Sequence, residues 1–118
     1  MTTLSIDSGD LKVIESFAKL GVITDATTNP LFVAQAGQSG DPTYTALVDE
    51  SIASAMKTAS SPDDITALAM DTLAVNLGAK ISTLVPGFVS TEVDPRLSFD
   101  VDASVEKGRR IIALYEER

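Results

Sequence analysis

The sequence predicts an α/β fold with about three parallel strands, and three observations carry that expectation. Short β-like runs alternate with longer segments of helical apolar spacing. The helical segments open on capping residues, and Lys or Arg collect near their last turns, as the helix dipole prefers. The order strand, helix, strand, helices, strand, helix is that of βαβ units around a parallel sheet.

Thr3, Leu4, Ser5 and Ile6 form a short alternating run that ends in Asp7, and Ser8-Gly9-Asp10 supplies turn and N-cap chemistry. Residues 11–20 follow as a helix, with Leu11, Ile14, Phe17 and Ala18 on one face and Gly21 as its stop. Val22-Ile23-Thr24 reads as the second strand, ending in Asp25-Ala26-Thr27-Thr28-Asn29. Pro30 then takes a first helical position and opens a helix over residues 31–36. Asp41-Pro42 and Ser61-Pro62 are two further cap-plus-proline starts. The first opens a helix carrying Tyr44, Leu47, Val48, Ile52, Ala55 and Met56. The second opens a long helix to about Leu84, with Ile65, Leu68, Thr72, Val75, Asn76 and Ala79 along one side. Val85-Pro86-Gly87 breaks it, residues 88–93 make the third strand, and Asp100 caps a last helix.

Composition narrows the chemistry. With 44% hydrophobic residues the 118-residue chain can bury a core as one domain or a piece of one. A net charge of -8 argues against nucleic-acid binding, which needs Lys and Arg to neutralise phosphates. Cysteine is absent, so there is no disulfide, thiolate metal site or thiol nucleophile. Histidine is absent too, which leaves acid–base work to Asp, Glu, Lys, Tyr or a bound water. No apolar run reaches the length of a membrane span. The N-terminus, Met1-Thr2-Thr3-Leu4, lacks signal-peptide regions, so the expected location is the cytoplasm, or a plastid after removal of a transit peptide.

Sites in α/β proteins lie just past the carboxyl ends of the strands. Those positions are Asp7, then Asp25 through Asn29, then Glu92, Asp94 and Arg96. All three ends are rich in acids, hydroxyls and amides. The same residue types also cap helices and turns, and for three successive strand ends the two explanations stand about even. For Asp94 and Arg96 a structural ion pair or turn is expected, and for Asn76 the satisfaction of a backbone group.

Asp25-Ala26-Thr27-Thr28-Asn29-Pro30 resembles the DATTNP signature of transaldolases, and Ser90 through Ser98 is similar to that family's STEVDARLS block. Ile6-Asp7-Ser8-Gly9-Asp10 matches its ADTGD segment, and Val75-Asn76-Leu77-Gly78 with Leu84-Val85-Pro86-Gly87 fits the helix and turn before its third strand. The blocks stand in the family's order and at about its spacing. The resemblance implies the (β/α)8 TIM-barrel family. Residues 1–118 would be the amino-terminal part of a barrel, about three parallel strands with their helices, truncated before the fourth strand. It implies transfer of a dihydroxyacetone unit between sugar phosphates through a lysine Schiff base, with no metal and no organic cofactor. Asp7 matches the aspartate that moves protons during carbon–carbon cleavage, and Glu92 the glutamate that works through a water in Schiff-base formation. Asn29 matches the site asparagine. Thr27 matches a threonine lining the same site, and Thr28 and Asp25 beside it are carried as substrate-binding positions.

The family's Schiff-base lysine belongs to the fourth strand. Lys12, Lys19, Lys57, Lys80 and Lys107 all fall in helical segments among polar neighbours, where nothing predicts the lowered pKa that such a lysine needs. A chain with three of a barrel's eight strands has two open edges and an uncovered inner face, so marginal stability or self-association is expected. The implied partner is a sugar-phosphate substrate, with no nucleic acid and no membrane. The alternative to an enzyme is a non-catalytic paralogue that pairs with itself or with a full-length barrel through its sheet edges. A sugar-phosphate-binding module without turnover stands third.

Overall fold

The computed structural model describes residues 2–118; Met1, part of the N-terminal reading, lies outside them. In chain order its elements are β1 (Ser5–Asp7), α1 (Leu11–Lys19), β2 (Asp25–Thr28), α2 (Pro30–Gln38), α3 (Pro42–Thr58), α4 (Pro62–Ser82), β3 (Val89–Thr91), a 3₁₀ turn (Pro95–Leu97) and α5 (Val101–Glu116). The three strands form one parallel sheet in the order β1-β2-β3. The α/β class with three parallel strands is therefore what the sequence adopts.

Capping chemistry sets the helix starts. The Asp10 carboxylate accepts from the backbone N–H groups of Lys12 and Val13, Asp41 from Thr43, and Asp100 from Ala103. Ser61 Oγ accepts from Asp64 N, and Pro42 and Pro62 occupy first helical turns, where a missing N–H costs nothing. At the other end of α1, Gly21 takes φ of 70°, the left-handed conformation that closes a helix without a Cβ clash.

The second strand departs from expectation. Val22-Ile23-Thr24 is not a strand; the paired residues are Asp25–Thr28. The β-branched run serves instead as the approach to the sheet, with Ile23 buried in the core and Thr24 N donating to Leu4 O at 3.0 Å. Pairing with both neighbours selects Asp25–Thr28, because Ala26, 1% exposed, is small enough to lie beneath the helices. Amphipathic expectations also need correction at three residues. Phe17 of α1 and Ile52 and Met56 of α3 stand exposed, whereas Ile14, Leu47 and Ala55 are buried as read.

The long helix differs most. Its expected single apolar side is replaced by burial almost all round from Asp71 to Gly78. α4 packs against all four other helices as well as β2 and β3. A helix surrounded in this way must satisfy the polar groups it carries, and apart from the buried Thr72 Oγ1, which has no hydrogen-bond partner among the described residues, it does. Asp71 does so with Lys107 Nζ at 2.7 Å and with the Arg110 guanidinium, both from α5. Asn76 donates from Nδ2 to Ser51 Oγ at 3.1 Å and accepts from Arg118 Nε, so it joins side chains of two other segments rather than a backbone group.

The ion pairs on Asp71 are unequal. Lys107 is nearly as buried as its partner, whereas the Arg110 side chain is 47% exposed. Asp71→Ala strands a buried ammonium and should cost about 3 kcal/mol. Arg110→Ala should cost less than about 1 kcal/mol, since a half-exposed partner is replaced by water. Urea unfolding of the two variants measures the contrast, and equal losses would contradict it.

Candidate functional site at the carboxyl ends of the strands

Parallel pairing sets the strand ends side by side. Asp7, the last residue of β1, is in register with Thr27, which pairs with Ser90; Thr28 pairs with Thr91. The residues that follow β2 and β3 are Asn29 and Glu92. Side chains alternate between the two faces of a strand. Ile6, Ala26 and Val89 form one row, packed into the helix-covered core. The next row, Asp7, Thr27 and Ser90, therefore points to the other face, where Asp7 and Ser90 are exposed and Thr27 is half-buried. That row is a carboxylate flanked by two hydroxyls on an open sheet face.

A cleft of about 360 Å³ lies on the helix side of the same strand ends. Thr28, Asn29, Thr91 and Glu92 form part of its lining, and the Asp71–Lys107 pair stands in its wall. Asn29 caps α2 with Oδ1, which accepts from Phe32 N at 3.1 Å. The cap uses the amide oxygen, so its Nδ2 donors face no competing demand from it. Past Glu92, the Asp94 carboxylate caps the 3₁₀ turn, accepting from Arg96 N at 2.9 Å, and also grips the Arg96 guanidinium. The ion pair or turn expected for these two residues is thus both at once. The Arg96 guanidinium, followed by the Arg96 N–H, holds the Asp94 carboxyl down at about 2. Among the described residues no three acidic side chains converge as a metal site requires. Nor is any of their helices long and apolar enough to cross a membrane.

The candidate residues are thus divided. Asn29, Thr28 and Glu92 meet in the cleft, while Asp7 and Thr27 share the open sheet face one row earlier. Asp25 belongs with neither group. It begins β2 rather than following a strand, and its Oδ1 accepts from Phe88 N at 3.0 Å. A Cβ on Gly87 would overlap that oxygen, so Asp25 and Gly87 together fasten the turn into β3 at the amino end of the sheet. The placing of Asp25 among substrate-binding positions followed from setting β2 three residues early. Sequence reasoning also passed over Tyr44 and Tyr115, whose hydroxyls reach the loop after Asp7 and the residue before Glu92. Tyr44 reads in sequence only as one more residue on an apolar helix face.

The sequence model described as Transaldolase/Fructose-6-phosphate aldolase matches residues 4–118. The chain is similar to the transaldolase of Protochlamydia amoebophila, 45% identical over 117 residues that cover 99% of this chain and 34% of that protein. It is 47% identical to the transaldolase of Rhizobium rhizogenes over 118 residues, 100% of this chain and 35% of that protein. A probable transaldolase of Dictyostelium discoideum is 45% identical over 117 residues, covering 98% and 35% of the two chains. The chain spans about a third of the length of these curated relatives.

The depressed Asp94 carboxyl gives a signed expectation. A carboxyl held at about 2 against an ordinary 3.8 contributes stability that is whole above 3.8 and is lost as pH falls through about 2. Titration of the Asp94 carboxyl by NMR should show that low midpoint, and Arg96→Ala should return it toward 3.8. A wild-type midpoint already at the ordinary value would show that the guanidinium contact does not persist in solution.

Proposed function

We infer the reaction from one premise: the chain belongs to the transaldolase/fructose-6-phosphate aldolase family. It is the amino-terminal part of a transaldolase barrel, which moves a dihydroxyacetone unit from fructose 6-phosphate or sedoheptulose 7-phosphate to an aldose phosphate. What carries this proposal is the order of the strand ends. Asp7 and Glu92 end or follow the two outer strands of a single parallel sheet, and Asn29 follows the strand between them.

The chemistry assigns each a task. A lysine amine adds to the ketose carbonyl, and the carbinolamine then loses water to give an iminium. Glu92, working through a water, supplies and recovers the protons of that dehydration. Asp7 takes the proton of the C4 hydroxyl as the C3–C4 bond breaks, and the bonding electrons enter the iminium to form an enamine. The acceptor aldehyde is attacked by that enamine, and Asp7 returns the proton to the new alkoxide. Asn29 hydrogen-bonds the carbinolamine or the substrate hydroxyls, with Thr27 and Thr28 lining the site. No metal or organic cofactor enters this scheme.

The Schiff-base lysine comes from the part of the barrel outside these 118 residues. All five lysines of the chain lie in helices. Lys12 and Lys19 are mostly exposed and paired with Asp41 and Glu15, and Lys107 is tied to Asp71. A Schiff-base amine must instead be neutral and free to attack. The open sheet favours a second proposal, a non-catalytic protein that pairs with itself or with a full-length barrel through β1 and β3, which flank the sheet.

Fragment complementation separates the two. The 118-residue chain alone should give no adduct when fructose 6-phosphate is trapped with borohydride. Mixed with the remaining two-thirds of a relative's barrel it should regain turnover. Asp7→Asn or Glu92→Gln in that assembly should then lower kcat by about 10²- to 10⁴-fold, the usual worth of a positioned acid–base group. Assembly without turnover selects the interaction protein, and trapping on the chain alone refutes the assignment of the lysine.

A further inference from the structure

The sequence contains two tyrosines. Each sends its hydroxyl from a helix to a different end of the sheet. Tyr44, on α3, accepts from Leu11 N at 2.9 Å and donates to Gly9 O at 3.0 Å. One oxygen thus joins both sides of the turn between Asp7 and α1. The turn is seated closely: Gly9 is buried, and a Cβ there would lie 3.0 Å from the Phe32 Cβ. Phe32 in turn donates its N–H to Asn29. Ser8 N donates to Thr27 O at 3.2 Å, which carries the β1–β2 pairing one step past Asp7. The backbone that bears Asp7 is therefore held from its own strand partner and from α3.

Tyr115, on α5, meets Thr91 side chain to side chain, hydroxyl to hydroxyl at 2.6 Å. Thr91 is the last residue of β3 and stands directly before Glu92. Gly78 of α4 makes the contact possible, since a Cβ at that position would overlap the Tyr115 hydroxyl. The glycine sits within a buried stretch of helix, where it costs about 1 kcal/mol relative to alanine. Room for a hydroxyl explains why that cost is tolerated.

We propose that Tyr44 and Tyr115 are positioning residues, Tyr44 for the Asp7 carboxylate through the backbone it fastens and Tyr115 for the Glu92 carboxylate through the Thr91 side chain it holds. The proposal rests on the catalytic assignment of those carboxylates above. Neither tyrosine lines the cleft at the strand ends. Burial raises the Tyr115 hydroxyl pKa, so it keeps its proton across the neutral range. Division of labour follows from topology. α3 reaches the β1 end and α5 the β3 end, so each carboxylate can be displaced without the other.

The test is Tyr44→Phe and Tyr115→Phe, each removing one oxygen and keeping the ring. In the intact chain, ¹³C carboxyl resonances of Asp7 and Glu92 are followed through a pH titration. Tyr44→Phe should move the Asp7 resonance and leave Glu92, and Tyr115→Phe should do the reverse. In the complemented assembly, Tyr44→Phe should slow carbon–carbon cleavage about tenfold at unchanged borohydride-trapping rate, and Tyr115→Phe should slow trapping by a similar factor. KM should stay within about twofold for both. Equal responses of both carboxyls to either substitution, or no response, would overturn the proposal. Should Asp7→Asn and Glu92→Gln prove harmless while the crossed resonance pattern persists, the catalytic assignment fails and the positioning stands.

Discussion

Burial of α4 on every side is the constraint from which the rest of the structure follows. A helix in contact with four others and two strands cannot keep a polar face for solvent, so Asp71 and Asn76 become connections, while the buried Thr72 hydroxyl is left without a partner among the described residues. Asp71 ties α5 through Lys107 and Arg110, and Asn76 ties α3 and the last residue, Arg118. Gly78 is the gap through which Tyr115 reaches β3. Removing Asp71 strands the Lys107 ammonium, and removing Asn76 takes a partner from Ser51 and from Arg118.

The same helix decides what the sheet can offer. With Ile6, Ala26 and Val89 committed to the core, the alternate row of Asp7, Thr27 and Ser90 is left free of packing duties. Polar side chains on that row displace no apolar contact. The strand ends can then carry chemistry at little cost to the fold, which is the usual arrangement for sites built on parallel sheets.

Much of this was legible in the sequence because local and tertiary signals agree. Asp10, Asp41, Ser61 and Asp100 cap the helices that their positions announce. The second strand was not legible. Asp25-Ala26-Thr27-Thr28 has the composition of a cap and the geometry of a strand, because a central strand under a large helix needs a small residue where periodicity looks for a large one. Setting that strand early carried Asp25 to the wrong end of the sheet, where it holds Phe88 N. Motif resemblance marked Asp7, Asn29 and Glu92, yet it could not say that Asn29 and Glu92 line a cleft while Asp7 lies on the opposite sheet face. The tyrosine contacts bridge 33 and 24 residues in sequence, a distance that no local pattern encodes.

The two strand pairings also differ in how far apart along the chain their partners lie. Leu4 and Thr24 meet across 20 residues, whereas Asp25 and Phe88 meet across 63, with α2, α3 and α4 between. Closing the longer loop costs about 1 kcal/mol more in chain entropy and must await the helices that shorten it. During synthesis the β1–α1–β2 unit can therefore nucleate while the rest is still emerging. The Asp7 end of the sheet takes shape early. The Glu92 end depends on the longer closure and on α4 with its neighbours.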